Sequence, residues 1–189
     1  GSAQAYLTLT VLKQEDSNEG KQRGHAKEKG EDPRIAYATA NPTTFITYNT
    51  NNYDWYYTGS SSADNTRWTT SDKAKSIYDP CPVGWRVPDG GFNGVWSKAG
   101  FDDTTYDSTN EGISFSISSP STTWYPASGY LYYGDGGLRS VGYYGDYWSA
   151  SPAIYYACYL YFTYGGAVNQ SGSYDRATGQ SVRCLQESK

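Results

Sequence analysis

The chain has 189 residues and a formal net charge of -4, enough for one domain with a substantial core plus an appendage. That acidic balance excludes the basic stripe of a nucleic-acid-binding surface, and no apolar run approaches the roughly 20 residues of a membrane-spanning helix. Tyr and Gly contribute 21 residues each and Met none; with abundant Ser and Asn, this mixture points to short strands and turns, and to contact surfaces in which Tyr supplies stiff area at low entropic cost.

Gly1-Ser2 reads as a cloning remnant, and the chain as part of a longer exported protein whose targeting signal and upstream domains lie outside it. Residues 5–12 alternate Leu7, Leu9 and Val11 with Thr8 and Thr10, the pattern of a half-buried strand, and residues 1–12 read as an N-terminal strand segment, either of this domain or the last strand of an upstream one. Residues 13–34 are polar, charge-dense and free of aromatics, which predicts a linker or exposed loop. The compact domain spans residues 35–189, with its binding face near 143–178.

Within that domain, Phe45-Ile46-Thr47-Tyr48 and Trp55-Tyr56-Tyr57 read as strands or aromatic-anchored loops, and Ser71 as the cap of a short helix through Lys75. Gly84-Trp85-Arg86-Val87-Pro88 reads as a short buried strand stopped by Pro88. Residues 92–99 are the best helix candidate, with Phe92 and Trp96 on one face and Gly100 as the stop. From Ile113 the pattern turns to β: Ile113, Phe115 and Ile117 alternate with serines, and further strands are expected over 124–133, 143–149, 157–163 and 181–185, with a turn at 134–137.

The cysteines are Cys81, Cys158 and Cys184, with no CxxC pair, and His25 is the chain's single histidine, so a structural zinc site lacks ligands. Two readings stay open: one disulfide and one free thiol in an exported protein, or three free thiols. A bridge between Cys81, in the turn-like Asp79-Pro80-Cys81-Pro82, and Cys184 would close a loop of about 100 residues and stabilise by roughly 4–5 kcal/mol on the chain-entropy model.

The most tyrosine-dense segment runs from Tyr143 to Tyr174, with nine tyrosines. In Cys158-Tyr159-Leu160-Tyr161-Phe162-Thr163, the period of two places Leu160 and Phe162 on a core face and Tyr159, Tyr161 and Thr163 on the other. Nearby loops add Tyr143, Tyr144, Asp146, Ile154, Tyr155, Tyr156, Tyr164 and Tyr174, forming an aromatic cluster of the size that marks binding sites. The plainer reading is that these tyrosines simply cover a sheet with their hydroxyls in water.

Catalysis is not expected. His25 lies in the charged linker, so no Ser/His/Asp or Cys/His set has a base. Asp102, Asp103 and Asp135 read as solvated turn residues. No metal or other cofactor is expected.

Four ordered motifs carry a family resemblance. They are Asp79-Pro80-Cys81-Pro82-Val83-Gly84-Trp85-Arg86-Val87-Pro88, then Tyr147-Trp148-Ser149-Ala150-Ser151-Pro152, then Tyr159-Leu160-Tyr161-Phe162, and finally Arg176 with Gly179-Gln180-Ser181-Val182-Arg183-Cys184; Asn41-Pro42-Thr43-Thr44-Phe45-Ile46-Thr47-Tyr48 adds to them. Together they resemble the Fibrobacter succinogenes major paralogous domain family of Bacteroidetes surface proteins, over residues 35–185. The resemblance implies an α+β, C-type-lectin-like fold related to formylglycine-generating enzymes, mostly short antiparallel strands and loops with one or two short helices. It agrees with a Cys81–Cys184 bridge. The cysteine pair and metal of the formylglycine-generating relatives have no counterpart here, and the Glu-Pro-Asn and Trp-Asn-Asp calcium motifs of sugar-binding lectins are absent from the sequence.

The C-terminal part resembles the variable proteins of diversity-generating retroelements, in which adenine-directed copying rewrites Asn-type codons. Residues reachable that way include Tyr, Asp, Ser, Thr, Ile, Ala and Gly, but not Lys, Glu, Gln, Met or Trp. The resemblance thus implies variable ligand-binding positions at Tyr143, Tyr144, Asp146, Ala153, Ile154, Tyr155, Tyr156, Tyr159, Tyr161, Thr163, Tyr164, Ala167, Asn169, Gly172, Ser173, Tyr174, Asp175 and Thr178. It implies a fixed framework of Trp85, Trp148, Leu160, Phe162 and Arg176. The expected function is a surface or pilus-tip adhesin domain whose ligand is a protein or glycan on another cell or surface, with no nucleic acid and no direct membrane insertion. The alternative is a pilus or cell-envelope subunit whose tyrosine face packs against its neighbours.

Overall fold

The computed structural model describes residues 78–98, 105–118 and 121–187, together with 37–38, 40–41, 43–47, 54, 65 and 74–76. The readings made for residues 1–34, Tyr48, Trp55-Tyr56-Tyr57, Ser71, Ala99, Gly100, Asp102 and Asp103 lie outside the described residues.

Short antiparallel strands dominate, with very little helix. The named elements are β1 (Trp85–Arg86), α1 (Val95–Lys98), β2 (Gly112–Ser118), β3 (Ser121–Pro126), β4 (Tyr130–Leu131), β5 (Leu138–Arg139), β6 (Tyr144–Ala153), β7 (Tyr156–Thr163), β8 (Val168–Tyr174) and β9 (Leu185–Gln186). They form three two-stranded sheets, β1-β9, β2-β3 and β4-β5, and one three-stranded sheet in the order β6-β7-β8.

The main core lies between the β2-β3 hairpin and the three-stranded sheet. Ile113 and Phe115 bury one face of β2, Leu160 and Phe162 bury one face of β7, and Trp96 seals the end from α1. Alternation makes this possible, because every second side chain of a strand reaches the same face. The packing is aromatic: Phe115 meets Tyr125 edge-on at 4.9 Å and Phe162 at 6.2 Å, and Tyr125 meets Tyr147 at 5.0 Å. Buried polar tips find partners. The Trp96 indole donates to the Tyr125 hydroxyl at 3.1 Å, and the Tyr147 hydroxyl donates to the Pro126 carbonyl at 2.6 Å. Gly145 permits the tightest contact, since a β-carbon there would stand 2.0 Å from the Phe162 ring.

The first and last of the named strands are fastened together. β1 pairs with β9 through Trp85↔Gln186 and Arg86↔Leu185, and Cys81 is bonded to Cys184 across a separation of 103 residues. Cys81, Val87 and Ala150 form a second small core, with Trp85, Val182 and Cys184 packed against it. Asp79 organises the turn beneath. Its side chain is fully buried; Oδ1 accepts the Cys81 N–H at 2.8 Å, Oδ2 accepts the Val87 N–H at 2.9 Å, and the Lys75 ammonium stands 3.6 Å away. Asp79→Ala leaves two buried amides without acceptors and is expected to lower unfolding free energy by about 2 kcal/mol, read from the urea midpoint at constant slope.

Two helix expectations are corrected. The helix over 92–99 contracts, among the described residues, to Val95–Lys98, and Phe92 lies before it in a turn, 88 % exposed. Backbone bonds from the Gly94 N–H to Gly91 and from the Val95 N–H to Asp89 set this turn, so Phe92 and Trp96 do not share a helical face. Ala74 and Lys75 are not helical: Lys75 lies in a β-bridge, and its ammonium crosses to the carbonyls of Cys81, Pro82 and Trp85. β8 answers to no strand expected from the sequence. Val-Asn-Gln-Ser-Gly-Ser-Tyr has weak strand propensity, and pairing with β7 imposes the conformation.

β6 has β7 on one side only, yet its other edge is not open. Gly129 and Ser181 bridge to Gly145 and Tyr147, the Trp148 N–H donates to Ser181 at 2.9 Å, and the Ala150 N–H donates to Pro88 at 2.9 Å. These connections satisfy an edge that would otherwise be free to pair with another chain. They also bring Tyr130 and Gln180 alongside Asp146.

Candidate functional site

Facing away from the main core, β6, β7 and β8 carry a row of tyrosines. The register places Asp146 opposite Tyr161, Trp148 opposite Tyr159, and Tyr159 opposite Gly172. Tyr159, Tyr161 and Thr163 are half-buried, whereas Leu160 and Phe162, alternating with them, are fully buried.

The tyrosines touch in sequence. Tyr144 meets Tyr161 at 5.5 Å, Tyr161 meets Tyr159 at 6.0 Å, Tyr159 meets Tyr174 at 5.9 Å, and Tyr174 meets Tyr130 at 6.3 Å. Their tilted and edge-on geometries suit aromatic quadrupoles and hold the rings as a stiff arc. Trp148 supports the arc against Tyr159 at 6.1 Å, and its indole donates to the Thr178 carbonyl at 3.2 Å. The arc encloses a cleft of about 190 Å³ lined by Tyr130, Tyr144, Asp146, Tyr159, Tyr161, Tyr174 and Gln180.

Asp146 is the unusual member. Its residue is 4 % exposed, and its Oδ2 is buried without a hydrogen-bond partner among the described residues. Burial pushes its carboxyl up to about 7. Gln180 Oε1, on the same cleft, and Thr178 Oγ1 are also buried without partners among the described residues. Burial, and after it the charge of Asp146, raises the hydroxyls of Tyr159 and Tyr130 above the usual tyrosine range. Tyr161 is raised by burial, Tyr144 and Asp146, and Tyr174 by burial, Tyr130 and Asp175. Arg139, the cation that acts on Tyr130, is engaged by Asp135 at 2.7 Å and lies over the Tyr132 ring.

Comparison with protein-family models, with curated proteins and with solved structures finds no match for this chain. The site must therefore be read from its own geometry.

The expected variable positions fall in separate places. Tyr144, Asp146, Tyr159, Tyr161 and Tyr174 meet in the cleft. Tyr143 and Tyr164 line a second hollow of about 260 Å³ with Ser108, Glu111 and Gly142, where Tyr106 supports Tyr164 at 5.3 Å. Ala153, Ile154, Tyr155 and Tyr156 form the tip of the β6-β7 hairpin, which Arg176 braces through the carbonyls of Ile154 at 3.1 Å and Tyr156 at 3.0 Å. Ala167, Asn169 and Ser173 are exposed along the β7-β8 hairpin, Asp175 follows β8 half-buried, and Gly172 and Thr178 are buried. Asp146 stands within β6, inside the strand expected over 143–149.

Tyr130 and Gln180 are the cleft residues that the sequence did not single out. Tyr130 lies outside the tyrosine-dense segment, and Gln180 was noted only inside a framework motif. The bonds that deliver them run from the Gly129 N–H to the Tyr144 carbonyl at 2.8 Å and from the Ser181 N–H to the Asp146 carbonyl at 3.1 Å. No local sequence pattern announces either bond.

The arrangement suits binding. The Cys158 thiol is half-buried and raised by burial, which keeps it protonated and poorly nucleophilic at neutral pH. Among the described residues, no three His, Cys, Asp or Glu side chains converge as a metal site, and no helix is long and apolar enough to cross a membrane.

Proposed function

We propose that this chain is a ligand-binding domain of an exported protein, C-type-lectin-like in architecture, that captures a protein or glycan partner on another cell or surface through its tyrosine face. The observation that carries this reading is the arc of five tyrosines around a buried carboxylate whose Oδ2 has no partner among the described residues. A fold spends stability to keep such a group, and stability is given up most often where a surface must recognise something. The Cys81–Cys184 bond is the chemistry of an oxidising compartment and supports export. The exposure of Ile154, Tyr155, Tyr156, Tyr143, Tyr164, Ala167, Asn169 and Ser173 supports the reading of these members of the expected set as diversified positions.

The test is a cell-surface and glycan binding screen with the intact chain and with Tyr159→Ala/Tyr161→Ala. The double variant is expected to lose at least 30-fold in affinity for any partner found. Its melting temperature falls by only a few degrees, because both rings are half-buried on the face away from the main core. Collapse of the fold would instead make them core residues. Light scattering checks the packing alternative: a permanent assembly that buries this face would replace the receptor reading with a structural one.

A further inference from the structure

We propose that the tyrosine cleft takes a primary ammonium on an unbranched alkyl chain, the side chain of a lysine presented by a partner protein, with Asp146 as its counter-ion. The inference rests on the binding reading above and adds the chemical class of the ligand.

Four features argue for it. The first is the polarity of the cleft's own groups. Asp146 Oδ2 and Gln180 Oε1 are buried acceptors without donors among the described residues. An ammonium brings three N–H donors and no acceptor, so it satisfies them without leaving a new orphan. A sugar hydroxyl brings acceptor lone pairs with every donor and leaves the carboxylate's charge unbalanced.

The second is the walls. Tyr130, Tyr144, Tyr159, Tyr161 and Tyr174 surround the carboxylate with aromatic surface. Aromatic faces attract cations, more strongly where water is excluded, and their apolar area accepts the methylene stem.

The third is charge. Desolvation is the cause that raises Asp146, with no cation among the described residues acting on its charged form. Arg139, which acts on the neighbouring Tyr130, is already paired with Asp135. Residues 112–186 contain no lysine, so the chain brings none of its own from this region. The fourth is size: about 190 Å³ holds the end of one side chain.

The groups around Asp146 come from every neighbouring element: Tyr130 from β4, Tyr144 from β6, Tyr159 and Tyr161 from β7, Tyr174 from β8, and Gln180, with Asp175 and Arg139 nearby. Tyr130, Tyr159, Tyr161 and Tyr174, all held above the usual tyrosine range, stay protonated below pH 8. Asp175 is also raised by burial, so the Asp146 variant must separate the two carboxylates.

The experiment titrates the full chain with Nα-acetyl-lysine methylamide, followed by intrinsic fluorescence and NMR shifts. Comparators are the norleucine analogue, which lacks the ammonium, and glucosamine, which carries one on a sugar ring. The lysine probe is expected to bind saturably, at least tenfold tighter at pH 8 than at pH 5.5, and at least tenfold tighter than either comparator. Asp146→Asn is expected to remove both the affinity and its pH dependence while leaving the circular dichroism unchanged. Equal binding of norleucine or glucosamine, or a flat pH profile for the unsubstituted chain, overturns the ammonium assignment. Tyr159→Ala/Tyr161→Ala then decides separately whether the face binds anything. Absence of binding by the lysine probe at both pH values also overturns the assignment, and the partner screen still judges the broader reading.

Discussion

Asp146→Asn raises the melting temperature of this chain at pH 8, and the gain shrinks toward zero as the pH is lowered to 4. Burial moves the Asp146 carboxyl from 3.8 to about 7. The folded state therefore holds its proton more tightly than the unfolded chain does. As pH rises through 4 the unfolded chain loses that proton first, and stability declines. The decline ends near pH 7, where the folded carboxyl ionises as well. A displacement of this size corresponds to about 4 kcal/mol. Asparagine keeps the shape and has no proton to lose, so the variant avoids the decline. The expected gain at pH 8 is about 2–4 kcal/mol, or roughly 5–10 °C in the midpoint, measured by thermal scans across the pH series. A variant that is no more stable at pH 8 than at pH 4, relative to the parent chain, would show that the carboxylate is solvated or paired after all. Combined with the expected loss of lysine-probe binding, the result would exhibit the trade of stability for recognition at a single residue.

Loss of the Cys81–Cys184 bond has an effect of similar size and opposite sign. The bond closes a loop with a sequence separation of 103 residues. Without it the unfolded ensemble regains the freedom of that loop, a change of about 5 kcal/mol on the chain-entropy model. β1-β9 pairs only two residues with two, so the remaining hydrogen bonds hold the junction weakly. Cys81→Ala/Cys184→Ala is expected to melt roughly 10 °C lower, and reduction of the unsubstituted chain should do the same. Thiol titration after unfolding should give one free thiol before reduction, from Cys158, and three after. An unchanged midpoint would mean that the second small core and Asp79 close the junction without the bond.

Much of the framework was legible because it depends on local periodicity. Ile113 and Phe115, and Leu160 and Phe162, alternate as buried strand faces must, and all four are buried. The Cys81–Cys184 bond was one of the two cysteine readings that the sequence left open, and the fold brings the two residues together. The helix was misjudged because i,i+4 spacing between Phe92 and Trp96 looks the same whether or not the backbone between them is helical, and Gly90-Gly91 and Gly94 let the chain turn there instead. β8 was hidden because its residues prefer no strand by themselves.

The tyrosine-rich segment was visible, but not which of its members converge. Convergence depends on Gly129 and Ser181 docking against β6, a contact between residues far apart in the chain. The same docking decides that Asp146 is buried while Tyr143, three residues before it, is 60 % exposed.

Gly172 and Tyr159 face each other across β7 and β8, and a β-carbon at 172 would stand 2.6 Å from the tyrosine ring. Any other residue at 172 must swing that ring, and Tyr159 stands in the middle of the arc, between Tyr161 and Tyr174. The two positions are thus epistatic: the effect of a change at one depends on what occupies the other. If the positions vary as proposed, a repertoire on this scaffold would hold fewer distinct shapes than the product of those positions, because part of its vocabulary would be spoken in pairs.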